Sequence, residues 1–526
     1  MNIFAQLIQQ LESTNKTTQK ITAIEWFLAH ASNEDKLWFL ALFTGKRPKR
    51  SVATNLLKQW VLEQTKLPEW LFTECYAAVG DLGETIALLM PHESQSADKS
   101  LAEWMTEIIA LKDQPEEVKK AYVLKSWSEL NTTERFIFNK LLGGSFRLGV
   151  SSKTLINALA KYYNLEATAV THAIMGDWDL HKVDFEQLVT GVYTATTKSQ
   201  PYPFCLAYPL DKELQQLGDR LLWQVEYKWD GIRAQLIKRD DEVFLWSRGE
   251  ELINNQFPEI ILKAEELPFD FVVDGELLVV KDKKVYDFSH LQKRLNRKTI
   301  TKKMLTELPV ALCVYDLLEW NGTDIREQSL SERRGMLETY FSDFISEQFY
   351  FSEIISGSKW DGLDELRQNA RQQNSEGLML KNTLAPYRAG RKRGDWWKWK
   401  IDPLTIDAVL IYAQKGSGRR SGYYTDYTFA VKKDDKLVTI AKAYSGLTDK
   451  EIQEVSKFVT KNAIEKFGPV RTVKPELVFE IAFEGIAYSN RHKSGVALRF
   501  PRILRWRKDK TVNEIDTIEQ VKKLIR

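Results

Sequence analysis

Cysteine is scarce in this chain of 526 residues. Cys75, Cys205 and Cys313 lie too far apart for a disulfide framework or a Cys-x-x-Cys zinc pattern. That usage suits a reducing cytoplasm. No apolar run approaches the roughly 20 residues that span a bilayer. The opening stretch, MNIFAQLIQQLESTNKTTQK, lacks the basic start, apolar core and small-residue cleavage site of an export signal. Low-complexity tracts and internal repeats are absent. Net charge is only +3, so any surface for a polyanion must come from local clustering of cations. Core-forming material is plentiful at 43% hydrophobic, and this length predicts about two to four domains.

Residues 1 to about 195 carry a helical rhythm. Ile3, Leu7 and Leu11 recur every four residues, and Ile24, Phe27 and Leu28, then Leu37, Phe39, Leu40 and Phe43, continue the pattern. Between helices, Gly45 to Arg50 sets four cations around a proline, either a phosphate-contacting loop or a solvated one. Gly143 to Ser151 precedes a helix with Leu155, Ile156, Leu159 and Ala160 on one face, for which Ser151 or Ser152 is the cap. Prolines 201 and 203 end the helical region. From 207 to 400 strands and helices alternate. Strands are expected at Val225 to Tyr227, Arg233 to Ile237, Val243 to Trp246, Phe271 to Val273, Leu277 to Val280 and Val310 to Tyr315. Helices are expected at Glu259 to Glu266 and Ser331 to Phe341. From about 403 to 512 strands dominate around one helix, Asp449 to Phe467, which suits an OB-fold barrel. Thr511 to Arg526 reads as a polar helical tail.

The chemistry centres on Glu226-Tyr227-Lys228-Trp229-Asp230-Gly231-Ile232-Arg233, at the end of an apolar run. A lysine ammonium has no lone pair to attack with; desolvation or neighbouring cations can release it as a nucleophile. Asp230-Gly231 reads as a tight turn in which Gly231 takes a positive φ. Taken alone, the lysine is equally an edge-strand residue before an ordinary turn.

The stretch Lys228-Trp229-Asp230-Gly231-Ile232-Arg233 resembles the adenylated-lysine motif of the nucleotidyltransferases that include DNA ligases, RNA ligases and mRNA capping enzymes. Further motifs follow in family order: Ser247-Arg248-Gly249; Asp274-Gly275-Glu276, read as a second Asp-Gly turn; Tyr315-Asp316-Leu317-Leu318; Glu376-Gly377-Leu378-Met379-Leu380-Lys381; Trp397-Lys398-Trp399-Lys400; and Leu498-Arg499-Phe500-Pro501-Arg502 running on to Arg505, Arg507 and Lys510. Arg147-Leu148-Gly149 is similar to a segment of the helical DNA-binding domain of archaeal and eukaryotic DNA ligases.

The resemblance is to the ATP-dependent DNA ligases of bacterial and archaeal type. It implies that Lys228 attacks the α-phosphate of ATP and carries AMP. Contacts to ATP or AMP are implied for Glu226, Arg233, Arg248, Glu276, Tyr315 (stacked on the adenine), Lys398 and Lys400. One arginine of the Arg388–Arg393 segment joins them, Arg391 or alternatively Arg393. Glu276 and Glu376 would hold Mg²⁺ or Mn²⁺. Arg147, Arg499, Arg502, Arg505 and Lys510 would meet DNA or pyrophosphate.

The implied fold is multidomain: an all-α DNA-binding domain over 1–200, an α+β nucleotidyltransferase domain of ATP-grasp-like ligase type over 201–402, and a C-terminal β-barrel OB-fold over 403–526. The implied activity is sealing of nicks in duplex DNA through lysyl-AMP and a DNA-adenylate, in DNA repair. The protein is expected to be a cytoplasmic monomer, nucleoid-associated when on DNA, with no membrane partner. An RNA ligase or a capping guanylyltransferase shares the lysine motif. A non-catalytic scaffold would have lost Lys228 or its carboxylates, and all are present.

Overall fold

The computed structural model describes residues 1–14, 16–46, 48, 50–91, 99–143, 150–175, 178–192, 198–249, 251–295, 297, 300–416, 422–468 and 470–525. They form two compact units, one of residues 1–152 with 403–526, the other of residues 153–402. Arg147, together with most of the Gly143–Ser151 segment, lies outside the described residues, as do parts of the Gly45–Arg50 stretch and of the basic stretch Lys415–Arg420.

In the first unit, residues 1–152 are helical from Asn2–Ser13 to Thr132–Gly143, with Leu7, Leu11, Ile24, Phe27, Leu28, Leu37, Phe39 and Leu40 buried as their spacing requires. Local chemistry sets the ends. Ser32 caps Asn33–Thr44 by accepting from Asp35 N–H, and Gly45, at φ 92°, stops that helix in the left-handed region. Among the described residues no helix is long and apolar enough to cross a membrane.

The C-terminal part of this unit is a β domain. Its central strand, Leu404–Lys415, pairs with Tyr424–Lys433 on one side and with both Val470–Val473 and Val478–Phe483 on the other. The pairing does not close into a ring among the described residues, although Ile503 N–H donates to Ser445 O at 3.0 Å between the ends of two edge strands. Two expectations change here. The helix expected to reach Phe467 stops at Asn462, and Ala463–Phe467 is an edge strand paired with Val470–Val473. The tail is not merely polar, because Ile518 and Val521 of helix Ile518–Lys522 are buried in the domain's core.

The second unit holds two facing sheets. The larger runs Phe349–Phe351, Val310–Trp320, Phe271–Lys281, Ile232–Arg239, Glu242–Ser247; the smaller runs Tyr208–Pro209, Trp396–Lys400, Ser375–Asn382, Trp223–Trp229. Each is antiparallel except at its first pair. Helices from Ser152–Tyr163 to Phe185–Thr190 group with this unit, where the His172 ring stacks on Tyr202.

Strand alternation divides each sheet into an apolar and a polar face. In the smaller sheet Trp223, Val225, Leu378, Leu380 and Trp397 make a core on one side. Glu226, Lys228, Lys381, Lys398 and Lys400 occupy alternate positions on the other. A one-residue slip would exchange the faces and bury this charge. At about 1.5–3 kcal/mol per buried apolar side chain, the core holds the register.

Both Asp-Gly readings are corrected by this sheet pair. Asp230-Gly231 is a corner that carries the chain from the smaller sheet to the larger. Gly231 is not among the positive-φ glycines; a Cβ there would lie 2.3 Å from Leu277 O, so closeness to the neighbouring strand is what demands glycine. Asp274-Gly275 is no turn. It sits inside one strand, Phe271–Lys281, at an irregularity of pairing with Val310–Trp320, and a Cβ on Gly275 would lie 2.8 Å from Cys313 O. The two short strands expected on either side are therefore one.

Candidate active site between two sheets

Lys228 stands on the polar face of its strand, opposite a bulge in Ser375–Asn382 where the register jumps from Ser375 to Leu378. The bulge projects Glu376 toward the lysine. Lys228 Nζ donates to Glu376 Oε2 at 2.5 Å, and Lys400 Nζ reaches the same oxygen at 3.2 Å. Gly377 makes the bulge feasible. Its φ is +137° and a Cβ would fall 2.3 Å from Trp399 O, so no side chain fits. Burial alone would raise the Glu376 pKa, but Lys228 and Lys400 outweigh it and hold the group below the ordinary range as a carboxylate.

Next along the floor is Lys398, half-buried. Its ammonium is held below the ordinary lysine range, first by burial and then by Arg391, Lys400, Lys228 and Arg248. Five cations thus converge on one spot while Glu376 supplies the compensating charge to two of them. Such a cluster is costly unless an anion lies within it. Arg391 is in this group. Arg393 instead pairs with Asp211 at 2.6 Å, and Arg388 with Asp395 at 3.1 Å.

The larger sheet forms the opposite wall. Arg233 is committed to structure: it grips buried Asp274 through Nε (3.1 Å) and Nη2 (2.6 Å), donates to Cys205 O, and meets Tyr387 Oη at 3.2 Å. Asp274 also accepts from Tyr315 Oη at 3.1 Å and Tyr387 Oη at 2.5 Å. This buried network fixes the Tyr315 ring, which packs edge-on to Trp396. Glu276, next to Arg233 in register, is half-buried. Burial pushes its carboxyl up to about 7, although Lys228 and Arg233 pull it down. Glu226 is fully buried, forms an ion pair with Lys381 Nζ at 2.8 Å and accepts a hydrogen bond from Gln224 Nε2 at 2.6 Å.

No group of three or more His, Cys, Asp or Glu side chains forms a protein-only metal cage among the described residues. Magnesium does not need one, since it takes one or two carboxylates plus phosphate oxygens and water. Glu276 and Glu376 lie within electrostatic reach of each other, and Glu276 has no hydrogen-bond partner among the described residues. A desolvated carboxylate of this kind suits a divalent cation.

The remaining candidates lie in the other compact unit. Arg502 pairs with Glu484 (2.9 Å), Arg505 with Glu480 (2.5 Å) and Lys510 with Asp407 (2.6 Å), while the Arg499 guanidinium lies 5.1 Å from the Phe500 ring. Three residues of the site itself were not singled out from sequence: Asp274, Tyr387 and Lys381. Asp274 and Lys381 stand inside motifs that were, but a carboxylate or a lysine in a strand carries no sequence mark of the partner it will meet across the sheet.

Family models match almost the whole chain: DNA ligase N terminus over residues 1–160, ATP dependent DNA ligase domain over 206–400, and ATP dependent DNA ligase C terminal region over 420–510. The chain is 32% identical to a probable DNA ligase of Koribacter versatilis, covering 100% of this chain and 96% of that protein. It is 26% identical to a DNA ligase of Archaeoglobus fulgidus over 99% and 98% of the two chains. The solved structure Pmar-Lig_PreS3 shares the fold at a TM-score of 0.62, with 17% identity over 96% of this chain and 99% of the other.

Proposed function

The chain belongs to the ATP-dependent DNA ligases, which seal nicks in duplex DNA through lysyl-AMP and a DNA-adenylate, and we propose that Lys228 is its nucleophile. The observation that carries this is the Lys228–Glu376–Lys400 contact among further cations. Glu376 aims Nζ, which must lose its extra proton to solvent before the lone pair can attack. The N–P bond then forms at the α-phosphorus as the bond to pyrophosphate breaks. Lys398, Lys400, Arg391 and Arg248 neutralise the phosphates along the path, at positions set by rigid strands. Arg233 acts through Asp274 to hold Tyr315, the stacking surface for the base.

Glu276 and Glu376 would hold Mg²⁺ or Mn²⁺, which screens phosphate charge when bound. The C-terminal β domain is read as an OB-fold, supported by its antiparallel strands around one central strand and the helix Asp449–Asn462 that interrupts them. Its Arg499, Arg502, Arg505 and Lys510, with Arg147 of the helical region, are assigned to DNA or pyrophosphate; the ion pairs of Arg502, Arg505 and Lys510 would exchange for phosphate contacts. The domain division 1–200, 201–402 and 403–526 follows these roles. We place the enzyme in DNA repair, as a monomer in the cytoplasm and at the nucleoid. The three unpaired thiols agree with a reducing compartment.

The test is incubation of the protein, stripped of AMP with pyrophosphate, with α-labelled ATP or GTP and Mg²⁺, then a chase with nicked DNA or RNA. Covalent label from ATP that passes to nicked DNA and ends as AMP with a sealed strand is expected. Lys228→Ala is expected to take no label while still binding nicked DNA. A labelled Lys228→Ala protein would refute the assignment, and label from GTP would redirect it to capping.

A further inference from the structure

Lys381 has no part in the chemistry above, yet it is one of the most constrained cations in the unit. Its side chain is 2% exposed. Its Nζ lies 2.8 Å from Glu226 Oε1, 4.0 Å from the centre of the Tyr315 ring and 4.6 Å from that of Trp396. Gln224 donates to the same Glu226 oxygen at 2.6 Å. Register explains the convergence: Lys381 stands directly opposite Gln224 on one neighbouring strand and Trp396 on the other. One ammonium, by charge, and one amide, by hydrogen bond, therefore occupy a single carboxylate oxygen, while Oε2 has no described partner.

The direction of that second oxygen matters because Glu226 and Lys228 share a strand face, about 7 Å apart along the chain. A nucleotide whose α-phosphate meets Lys228 and whose base lies by Tyr315 brings the edge of the base to Glu226. A carboxylate oxygen only accepts hydrogen bonds. It fits the 6-amino group of adenine, which donates, and repels the 6-oxo group of guanine, which accepts.

We propose that Lys381 and Gln224 are positioning residues that clamp one oxygen of Glu226 so that the other selects a 6-aminopurine. This rests on the assignment of Lys228 as nucleophile. Without the clamp the Glu226 side chain can rotate or exchange its partner, and the acceptor is no longer presented in one place. A buried acceptor left unmatched is the strongest basis for rejecting a near-isosteric ligand.

The experiment compares lysyl-nucleotide formation from ATP, GTP and purine riboside triphosphate, which lacks the 6-amino group, in the full chain. Wild type is expected to prefer ATP over purine riboside triphosphate in kcat/KM by about ten- to a hundredfold. In Lys381→Met that preference should collapse to within a few-fold. A merely structural loss would lower all three substrates together and leave the ratios intact, which would overturn the proposal. Should Lys381→Met fail to fold, Gln224→Met, which keeps the ion pair, carries the test: its preference must narrow, and a wild-type ratio in folded Gln224→Met protein refutes the clamp. Failure of wild type to label from any triphosphate would instead refute the Lys228 assignment.

Discussion

Replacing Glu276 by glutamine should stabilise the apo protein while disabling it. Desolvation raises this carboxyl from 4.5 to about 7. Between those values the folded chain holds a proton that the unfolded chain has lost. Folding stability therefore declines as pH rises from about 4.5, and the loss is complete above about 7. At about 1.4 kcal/mol per pH unit the gap amounts to roughly 3 kcal/mol, an upper figure because the group is only half-buried. Glutamine has nearly the same shape and no charge to desolvate. For a domain of this size, scanning calorimetry at pH 8 should place the variant's transition as much as roughly 6–12 °C above wild type. The difference should shrink toward zero as the pH falls to 4.5. Added Mg²⁺ should raise the wild-type midpoint and narrow the gap, because a ligand of the folded carboxylate offsets its desolvation. AMP loading by the variant should be lost. A variant that melts at or below wild type at pH 8 would show that Glu276 is not a strained carboxylate, and the argument that it awaits a cation would fall with it.

Other sites give sharper contrasts. Gly377→Ala should lose AMP loading with Lys228 and Glu376 both present, since its Cβ falls 2.3 Å from Trp399 O and its φ is +137°; a cost of at least about 1–3 kcal/mol should appear in denaturant melts. An unaltered loading rate would mean that the bulge does not aim Glu376. Lys398→Met relieves like-charge repulsion from Arg391, Lys400, Lys228 and Arg248. It should unfold no more easily than wild type, yet show a KM for ATP about tenfold or more higher, as expected for a lost charge-assisted contact. An unchanged KM would remove Lys398 from the phosphate path.

The legibility of the molecule varied with the range of the interaction. Lys228, Glu376 and Lys400 stand out in the sequence because their motifs are contiguous, and the structure brings them within 3.2 Å of a common oxygen. The arginine choice within Arg388–Arg393 was open in sequence; Asp211, about 180 residues away and paired with Arg393, separates it from Arg391. Arg233 reads as a phosphate or nucleotide contact from its motif, whereas the partner waiting across the sheet is buried Asp274. The Asp-Gly pairs misled in the same way, since both glycines answer to a neighbouring strand's carbonyl rather than to a local turn.

What the sequence by itself determined is local and periodic: the helical region, the strands, their polar and apolar faces, and the order of the motifs. Those follow from patterns of two or 3.6 residues and from side-chain chemistry that does not depend on distant partners. Only the tertiary structure decided which charges pair, which oxygen of Glu226 stays open, and that Glu276 is desolvated. Hydrogen bonding, burial and electrostatic coupling are set by groups about 40 to 150 residues apart in the chain, and those meet only when strands distant in sequence pair side by side within each sheet.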